Sequence, residues 1–208
     1  IPVHLAGTSC DMKEIKKLSI KYGFLIIEDA SHAVGAKYLD EPVGNCRYSD
    51  ITVFSFHPVK IITTAEGGMV CTNNADIAER VRSLRSHGID RGGSIPWYPS
   101  QIEIGYNYRI TEPQAALGIA QLARLKDFFD YRTELAQYYD DSLRNLPLEI
   151  PLKDDAHYLS AKHLYVIRLK GKVSLRVFSL YKFTIFCRPK EARQSLHSDH
   201  FLVNYRVR

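Results

Sequence analysis

Helix-type and strand-type patterns of apolar residues alternate along the first 125 residues of the chain. Between an aspartate at position 11 and a glycine at position 23, apolar residues recur at helical spacing, which predicts a helix capped at both ends. Short apolar runs of strand type follow at residues 24–27, 51–56 and 68–72. This alternation predicts an α/β fold in which helices pack on a buried sheet.

Helical patterns dominate the next part of the chain. Asn74 and Thr111 each stand directly before apolar residues at helical spacing, so both are predicted to be helix N-caps. The helix after Thr111 is predicted to carry a small-residue packing face formed by Ala116, Ile119, Ala120 and Leu125. A further helix is predicted over residues 131–143, and a strand over residues 164–169.

Most of the positive charge lies at one end of the chain. The net charge is +5, but residues 170–208 hold nine Lys or Arg and two Asp or Glu, so the remainder is slightly negative. Apolar residues in this basic segment have no clear period. We expect a partial large domain over residues 1–127, a partial small domain over 128–169, and an atypical tail over 170–208 that a frameshift or misjoined reading frame would explain.

Composition excludes several classes of protein. No apolar run approaches the roughly 20 residues that a membrane helix needs. The four cysteines, at positions 10, 46, 71 and 187, have no close spacing, so neither a metal site nor a disulfide framework is predicted. Sparse thiols are typical of a reducing compartment, which favours the cytoplasm. A nucleic-acid interface is conceivable only in the basic tail, where aromatic residues at 181, 183 and 186 lie among basic ones.

Polar side chains with complementary chemistry follow two of the predicted strands. Asp29 comes shortly after the apolar run at 24–27, Ser55 lies at the end of the next strand, and Lys60 follows five residues later. Ligands of open α/β sheets bind beyond the carboxyl ends of strands, so these side chains are expected to share one crevice. Together they suit pyridoxal phosphate, which needs an amine, a carboxylate for its ring nitrogen and donors for its phosphate. Each also has an ordinary interpretation, as a solvated lysine, a turn-capping aspartate or a strand-ending serine.

Four stretches, in order, resemble the DegT/DnrJ/EryC1/StrS family of sugar aminotransferases. They are EDASHAVGA at residues 28–36, SFHPVK at 55–60 with EGG at 66–68, GYNYRITEPQAA at 105–116, and HLYVIR at 163–168. The resemblance implies a fold-type-I transferase that depends on pyridoxal 5'-phosphate. It further implies an α/β large domain, present in part, followed by an incomplete small α+β domain.

The resemblance implies a role for each matching position. Lys60 matches the lysine that bonds to the cofactor and later moves protons between the substrate carbon and the cofactor. Asp29 matches the carboxylate that faces the ring nitrogen, His32 a histidine that contacts the ring or its phenolic oxygen, and Ser55 a phosphate contact. Asn107 matches a residue that reaches the cofactor phosphate of the neighbouring subunit, which implies a homodimer.

Substrate contacts are expected from three further histidines, His4, His57 and His163. Within the family, PVHLAG at residues 2–7 and HPVK followed by TTAEGG at 57–68 look like the branch that acts in pseudaminic acid biosynthesis. That branch implies transfer of an amino group from L-glutamate to C4 of a UDP-linked 4-keto-6-deoxy sugar. His163 equally suits a structural role at the end of a strand.

Other interpretations stay open. The family's N-terminal portion, with a phosphate loop, a ring-stacking aromatic residue and the first strands of the sheet, is expected to be absent. The main alternative is therefore a catalytically dead relic, or a fragment that dimerises without activity. A dehydratase of the same fold has histidine in place of the lysine, and Lys60 argues against it. His32 and Asn107 also have structural interpretations, as a satisfied histidine and as a turn residue.

Overall fold

A computed structural model of the chain describes residues 1–90 and 100–170. Contacts group the chain into two units. The first comprises Ile1–Arg144 with Ile150–Val166, and the second comprises Asn145–Glu149 with Ile167–Arg208, of which residues up to 170 are described. All the residues predicted to form the site belong to the first unit.

The described residues form four α-helices and ten short strands, preceded by a 3₁₀ turn at Leu5–Gly7. In chain order they are α1 (Met12–Tyr22), β1 (Ile27–Asp29), β2 (Lys37–Tyr38), β3 (Glu41–Pro42), β4 (Ile51–Ser55), β5 (Gly68–Cys71), α2 (Ala75–Arg85), β6 (Ile89–Asp90), β7 (Ser100–Gln101), α3 (Glu112–Ala123), α4 (Leu125–Leu143), β8 (Leu148–Glu149), β9 (Tyr158–Leu159) and β10 (Arg168–Leu169).

Three strands of the first unit form the sheet that carries the site, in the order β1–β4–β5. β1 and β4 are parallel, with Asp29 opposite Val53, whereas β5 runs antiparallel to β4. On the other side of β1, Val3 forms a parallel bridge with Asp29. Because β1 and β4 are parallel, their carboxyl ends lie at one edge of the sheet, which brings Asp29 and Ser55 to the same side as predicted.

Helix caps form where the sequence predicts them. The Asp11 carboxylate accepts a hydrogen bond from the Glu14 amide, and α1 ends at Gly23, whose φ is +71°. The Asn74 side chain accepts hydrogen bonds from two amides in the first turn of α2. Thr111 and Gln114 form a capping box at the start of α3. These local contacts explain why both ends of α1 and the starts of α2 and α3 could be predicted from the sequence.

The strands predicted over 51–56 and 68–72 are confirmed to within one residue as β4 and β5, whereas two other strands were predicted less well. The run at 24–27 was expected to be a buried strand, but β1 begins only at Ile27, and Leu25 is 77% exposed while Ile26 is 1% exposed. Asp50 forms hydrogen bonds with both backbone groups of Ile26. The Ile26 N–H donates to the Asp50 carboxylate, and the Asp50 N–H donates to the Ile26 C=O. The helix predicted over 131–143 begins earlier, at Leu125, and of the strand predicted over 164–169 only the last two residues form a paired strand, β10.

A small-residue core brings three segments of the first unit to the end of β1. Ala30, Ala33 and Ala36 are buried with Ile61, from the connection between β4 and β5, and with Ala161, which follows β9. Alanine side chains add little bulk, so backbone segments can approach each other closely at this point. The loop after β4 and the segment after β9 therefore both pack against the residues that follow Asp29.

The second unit contains a two-stranded antiparallel sheet. β8 pairs with β10, and the Arg168 Nε atom donates a hydrogen bond to the Glu149 carboxylate at 2.6 Å. The predicted boundaries at 127 and 169 stay predictions. The tail predicted over 170–208 lies outside the described residues apart from Lys170. None of the described helices has the length and apolar character needed to cross a membrane.

Candidate active site

The end of β1 presents an ionised carboxylate. The backbone of Asp29 is fixed on one side, since its N–H donates to Pro2 O at 2.9 Å and its C=O accepts from His4 N at 3.0 Å. Its side chain accepts a hydrogen bond from the Ser31 amide at 3.0 Å. Hydrogen bonding to Ser31, together with the nearby His32 and Lys60, holds the pKa of the Asp29 carboxyl below its usual range. Asp29 is therefore charged at neutral pH.

The connection between β4 and β5 carries Lys60. Ser55 ends β4, and its Oγ atom accepts a hydrogen bond from the His57 amide at 3.4 Å. A turn follows, in which Lys60 N donates to His57 O at 2.9 Å. Lys60 is half-buried, and the next two residues, Ile61 and Ile62, are buried. The two isoleucines anchor the backbone directly after Lys60, which sets Lys60 apart from a lysine on a freely solvated loop.

Hydrogen bonds and close packing also fix the later part of the connection between β4 and β5, at residues 64–68. Thr64 N donates to Phe56 O at 3.0 Å, which closes the loop. From the first turn of α3, Gln114 Nε2 donates to Glu66 O at 3.0 Å. A side chain at Gly68 would lie 2.7 Å from Phe54 O, so glycine is required there. The loop that carries Lys60 is thus fixed by contacts with both β4 and α3.

The structure brings Lys60 to the same edge as Asp29 and two histidines. The Ser31 hydrogen bond is the main cause of the lowered pKa of Asp29, and the charge of the Lys60 ammonium acts in the same direction on the pKa of Asp29, His32 and His163, so Lys60 lies within electrostatic range of all three. Burial is the first cause for both histidines. An amine, a carboxylate and two imidazoles therefore share one region at the carboxyl end of β1.

Burial and its neighbours keep His163 neutral. It is 8% exposed, and its ring lies beside that of His32, with the ring centroids 4.5 Å apart and the planes inclined by 37°. Burial, followed by the nearby His32, Lys60 and Arg132, lowers the pKa of His163 to about 4. A neutral, enclosed ring fits the structural interpretation of His163 better than the predicted contact with substrate.

His4 does not have the position that a substrate contact requires. It is fully buried, its Nε2 atom lies 2.7 Å from Glu28 Oε2, and its Nδ1 atom accepts a hydrogen bond from Cys10 N at 3.2 Å. With both ring nitrogens engaged and no exposed surface, His4 is corrected to a structural residue. Its partner Glu28 was missed, although Glu28 precedes Asp29 in a strand and so faces the opposite side of the sheet.

Two other predicted residues are exposed. His57 lies on the surface, with Nε2 3.9 Å from Glu66 Oε1. Asn107 forms a backbone bridge with Ser86 between two exposed, stacked tyrosines. Within the described residues, no hydrogen bond or ion pair joins the side chain of His57 or Asn107 to the side chains of Lys60, Asp29, His32 or His163. Their predicted roles toward substrate and toward a neighbouring subunit stay predictions.

The chemistry of this group fits pyridoxal phosphate. An ionised carboxylate at Asp29 is the partner that a protonated pyridine nitrogen needs, and Lys60 supplies the amine for the aldehyde. Ser55 places a hydroxyl at the same edge of the sheet. No group of three or more side chains that could hold a metal ion occurs within residues 1–90 and 100–170.

Comparison with known proteins identifies relatives over most of the chain. It is 42% identical over 167 residues to UDP-4-amino-4,6-dideoxy-N-acetyl-beta-L-altrosamine transaminase of Campylobacter jejuni, which covers 80% of this chain and 43% of that protein. Among solved structures, Helicobacter pylori PseC, described as an aminotransferase involved in the biosynthesis of pseudoaminic acid, matches with a TM-score of 0.75 and 36% identity, over 82% of this chain and 45% of PseC. The chain thus spans less than half the length of these relatives.

A more distant structure carries the cofactor. Spr1654 of Streptococcus pneumoniae, solved in a PLP form and a PMP form, matches in the PLP form with a TM-score of 0.73 and 27% identity, over 86% of this chain and 50% of that one. Such neighbours are fold-type-I aminotransferases that use pyridoxal phosphate, which confirms the predicted α/β fold class. The model of the DegT/DnrJ/EryC1/StrS aminotransferase family matches residues 1–184 and so ends inside the predicted tail. The chain therefore belongs to the DegT/DnrJ/EryC1/StrS aminotransferase family.

Proposed function

We propose that this chain is part of a pyridoxal-phosphate-dependent aminotransferase that moves an amino group from L-glutamate to C4 of a UDP-linked 4-keto-6-deoxy sugar. The observation that carries this proposal is the ionised Asp29 carboxylate at the carboxyl end of β1, with the Lys60 ammonium within electrostatic range on a fixed loop of a sugar-aminotransferase fold. Family membership supports the transferase class. The specific sugar and the glutamate donor rest on the likeness of the sequence to its Campylobacter and Helicobacter relatives.

Four side chains of this chain would hold the cofactor. Asp29 would keep a proton on the ring nitrogen, His32 would contact the ring or its phenolic oxygen, and Ser55 would donate to the phosphate. When bound, the cofactor supplies a conjugated cationic ring that accepts electrons from the carbon that loses its proton. Lys60 would bond to the cofactor aldehyde through Nζ in the resting state, and would carry a proton to and from the substrate carbon during transfer.

The position of Lys60 suits this double role. Its backbone is held by the turn from His57 and by two buried isoleucines, so only the side chain has to move between bonding and proton transfer. Asp29 is fixed by backbone hydrogen bonds to Pro2 and His4 and by the hydrogen bond that its side chain accepts from the Ser31 amide. A fixed carboxylate beside a mobile amine is the arrangement that orienting the cofactor and moving protons require.

We further propose that the active unit is a homodimer in the cytoplasm, with Asn107 reaching the cofactor phosphate of the partner. The exposure of Asn107 and of the tyrosines on either side of it supports this arrangement. Described cysteines 10, 46 and 71 are free thiols, which agrees with the compartment predicted from the sequence. Exposed His57, on the same loop as Lys60, would contact the substrate.

Addition of pyridoxal phosphate and then L-glutamate to the purified chain tests the proposal. We expect a visible absorption band that grows with cofactor and then shifts to the spectrum of the pyridoxamine form when glutamate is added. Lys60→Ala should abolish the shift, whereas Lys21→Ala, at an exposed lysine on α1, should leave it unchanged. Cofactor binding without a response to glutamate would instead indicate a relic of the fold, and no binding at all would overturn the proposed function.

A further inference from the structure

Two imidazole rings from distant parts of the sequence lie against each other beside Lys60. His32 follows β1, whereas His163 follows β9, and their ring centroids are 4.5 Å apart. Such a pair of neutral rings has the spacing of a packed aromatic contact. The His163 ring therefore limits the positions that the His32 ring can adopt.

The 3₁₀ turn Leu5–Gly7 connects the two histidines. Ala6 N donates to His32 Nδ1 at 3.3 Å, and Ala6 O accepts from His163 N at 3.0 Å. A side chain at Gly7 would lie 3.1 Å from His163 N, His32 O and Lys162 N, and Gly7 has a φ of +105°. The turn is therefore packed directly against the backbone of both histidine-bearing segments, and a larger residue at Gly7 would force these segments to shift.

The opposite side of His163 is held by α4. Arg132 Nη1 donates to Lys162 O at 3.1 Å and to His163 O at 3.2 Å. The Nδ1 atom of His163 is buried and has no hydrogen-bond partner among the described residues. The backbone of His163 is thus fixed from two sides, and its ring is enclosed.

We propose that His163 is a positioning residue, whose ring supports His32 in the orientation that lets His32 Nδ1 accept the Ala6 N–H group. In that orientation neutral His32 carries its proton on Nε2, which leaves one N–H donor for a ligand in the site. The use of this donor toward the cofactor rests on the proposed function, whereas the orientation of His32 does not.

Charged groups around the pair agree with a neutral His32. Asp29 raises the pKa of His32, but burial, followed by the charge of Lys60, outweighs it, so the pKa lies below its ordinary value. Lys60 and Arg132 act in the same direction on His163. Removal of the His163 ring would admit water to His32, and its pKa would then rise.

NMR on the chain without cofactor tests this proposal. In the unmodified protein we expect nuclear Overhauser contacts between the ring protons of His32 and His163, ¹⁵N shifts that place the His32 proton on Nε2, and a His32 pKa below about 6.5. His163→Phe keeps a ring and should preserve the tautomer and the low pKa. His163→Ala should raise the His32 pKa toward about 6.5 and mix the tautomers, while His157→Ala, at an exposed histidine, should change neither.

Several results would overturn the proposal. Absence of ring contacts in the unmodified protein would do so without any variant, as would a His32 proton on Nδ1. Loss of the tautomer in a folded His163→Phe protein would show that the ring alone does not position His32. If His163→Ala does not fold, the unmodified protein and His163→Phe still decide the outcome. Failure to bind pyridoxal phosphate would affect the proposed function and not these measurements.

Discussion

At the scale of single residues, the most constrained group outside the site is the carboxylate of Glu28. Three side chains donate to it: His4 from the segment that bridges β1, Thr52 from β4, and Ser49 from the residues just before β4. Burial raises the pKa of Glu28, but these hydrogen bonds and the charge of His4 outweigh burial and lower it. A buried charge is tolerated only when its hydrogen-bonding capacity is filled in this way. Glu28 therefore fixes β1 from the face opposite Asp29.

Replacement of Glu28 by alanine should destabilise the protein strongly. The change leaves His4 and two hydroxyl groups without their partner, and loss of one member of a buried charged pair costs about 3–5 kcal/mol. Glu41→Ala, which removes an exposed ion pair with Arg47, should cost about 0–1 kcal/mol. Urea unfolding of both variants measures the difference, and equal losses would contradict the buried-pair account.

Stability should also depend on the protonation of His4. Burial opposes its charge, but contacts with Cys10 and Glu28 raise the pKa of His4 to about 9, above the ordinary value of 6.5. The stabilisation from the charged ring is therefore complete below pH 6.5 and is lost as pH rises toward 9. The free energy of unfolding, measured across this range, should fall in the native protein and much less in His4→Asn.

A flat pH profile would show that His4 stays neutral. Its Nδ1 atom accepts the Cys10 N–H group in the structure, and a charged ring must give up this hydrogen bond and donate toward the Cys10 side chain instead. The measurement thus distinguishes an ion pair from a neutral hydrogen bond between His4 and Glu28. The sequence could not predict this pair, because the two residues lie 24 positions apart and meet only across neighbouring segments.

At the scale of structural elements, the 3₁₀ turn Leu5–Gly7 has a strict sequence requirement at its last residue. Gly7→Ala combines a φ of +105° with three backbone contacts at 3.1 Å, whereas Gly23→Ala has a φ of +71° and open space around it. We expect Gly23→Ala to cost about 1–2 kcal/mol, the usual penalty of a left-handed backbone, and Gly7→Ala to cost clearly more. Denaturant midpoints compare the two, and a smaller loss at Gly7 would contradict the packing described here.

The elements also show which parts of the fold can be predicted from the sequence. Caps at Asp11, Asn74 and Thr111 were predicted because each depends on contacts within four residues. The ends of β4 and β5 were predicted to within one residue, whereas the start of β1 was not, because Ile26 gives its hydrogen bonds to Asp50, which no local pattern indicates. In the site, the positions of Asp29, Ser55 and Lys60 at or after strand ends were enough to predict them. The enclosure of His32 and His163 was not predictable in this way, because it depends on contacts with the segment before α1 and the segment after β9.

At the scale of the whole molecule, large apolar side chains remain exposed in this chain. The sequence placed Ala116, Ile119, Ala120 and Leu125 on one packing face. Leu125 packs against the alanine core, but Ile119 is 72% exposed, and Leu122 on α3 is 56% exposed. Patches of this kind mark surfaces that another protein segment covers. A second copy of the polypeptide, as the proposed dimer requires, would cover such a surface and would bring Asn107 toward the partner.

Mixing two inactive variants tests whether Asn107 acts across a dimer. Lys60→Ala and Asn107→Ala should each bind the cofactor weakly, but a heterodimer of the two would contain one site with both residues intact. We therefore expect co-refolded mixtures to recover glutamate-dependent conversion of the cofactor, and a mixture of Lys60→Ala with the double variant to recover none. Lack of recovery, although both variants form dimers by light scattering, would place Asn107 in the site of its own subunit.

Reductive trapping tests the central claim of a cofactor site built on Lys60 and Asp29 most directly. Borohydride added to the chain with bound pyridoxal phosphate should attach one pyridoxyl phosphate group, and peptide mass spectrometry should locate it on Lys60. Asp29→Asn should reduce the yield of labelled peptide because the ring nitrogen loses its charged partner. Label spread over the exposed lysines, or equal label in Asp29→Asn and the unmodified chain, would contradict the account.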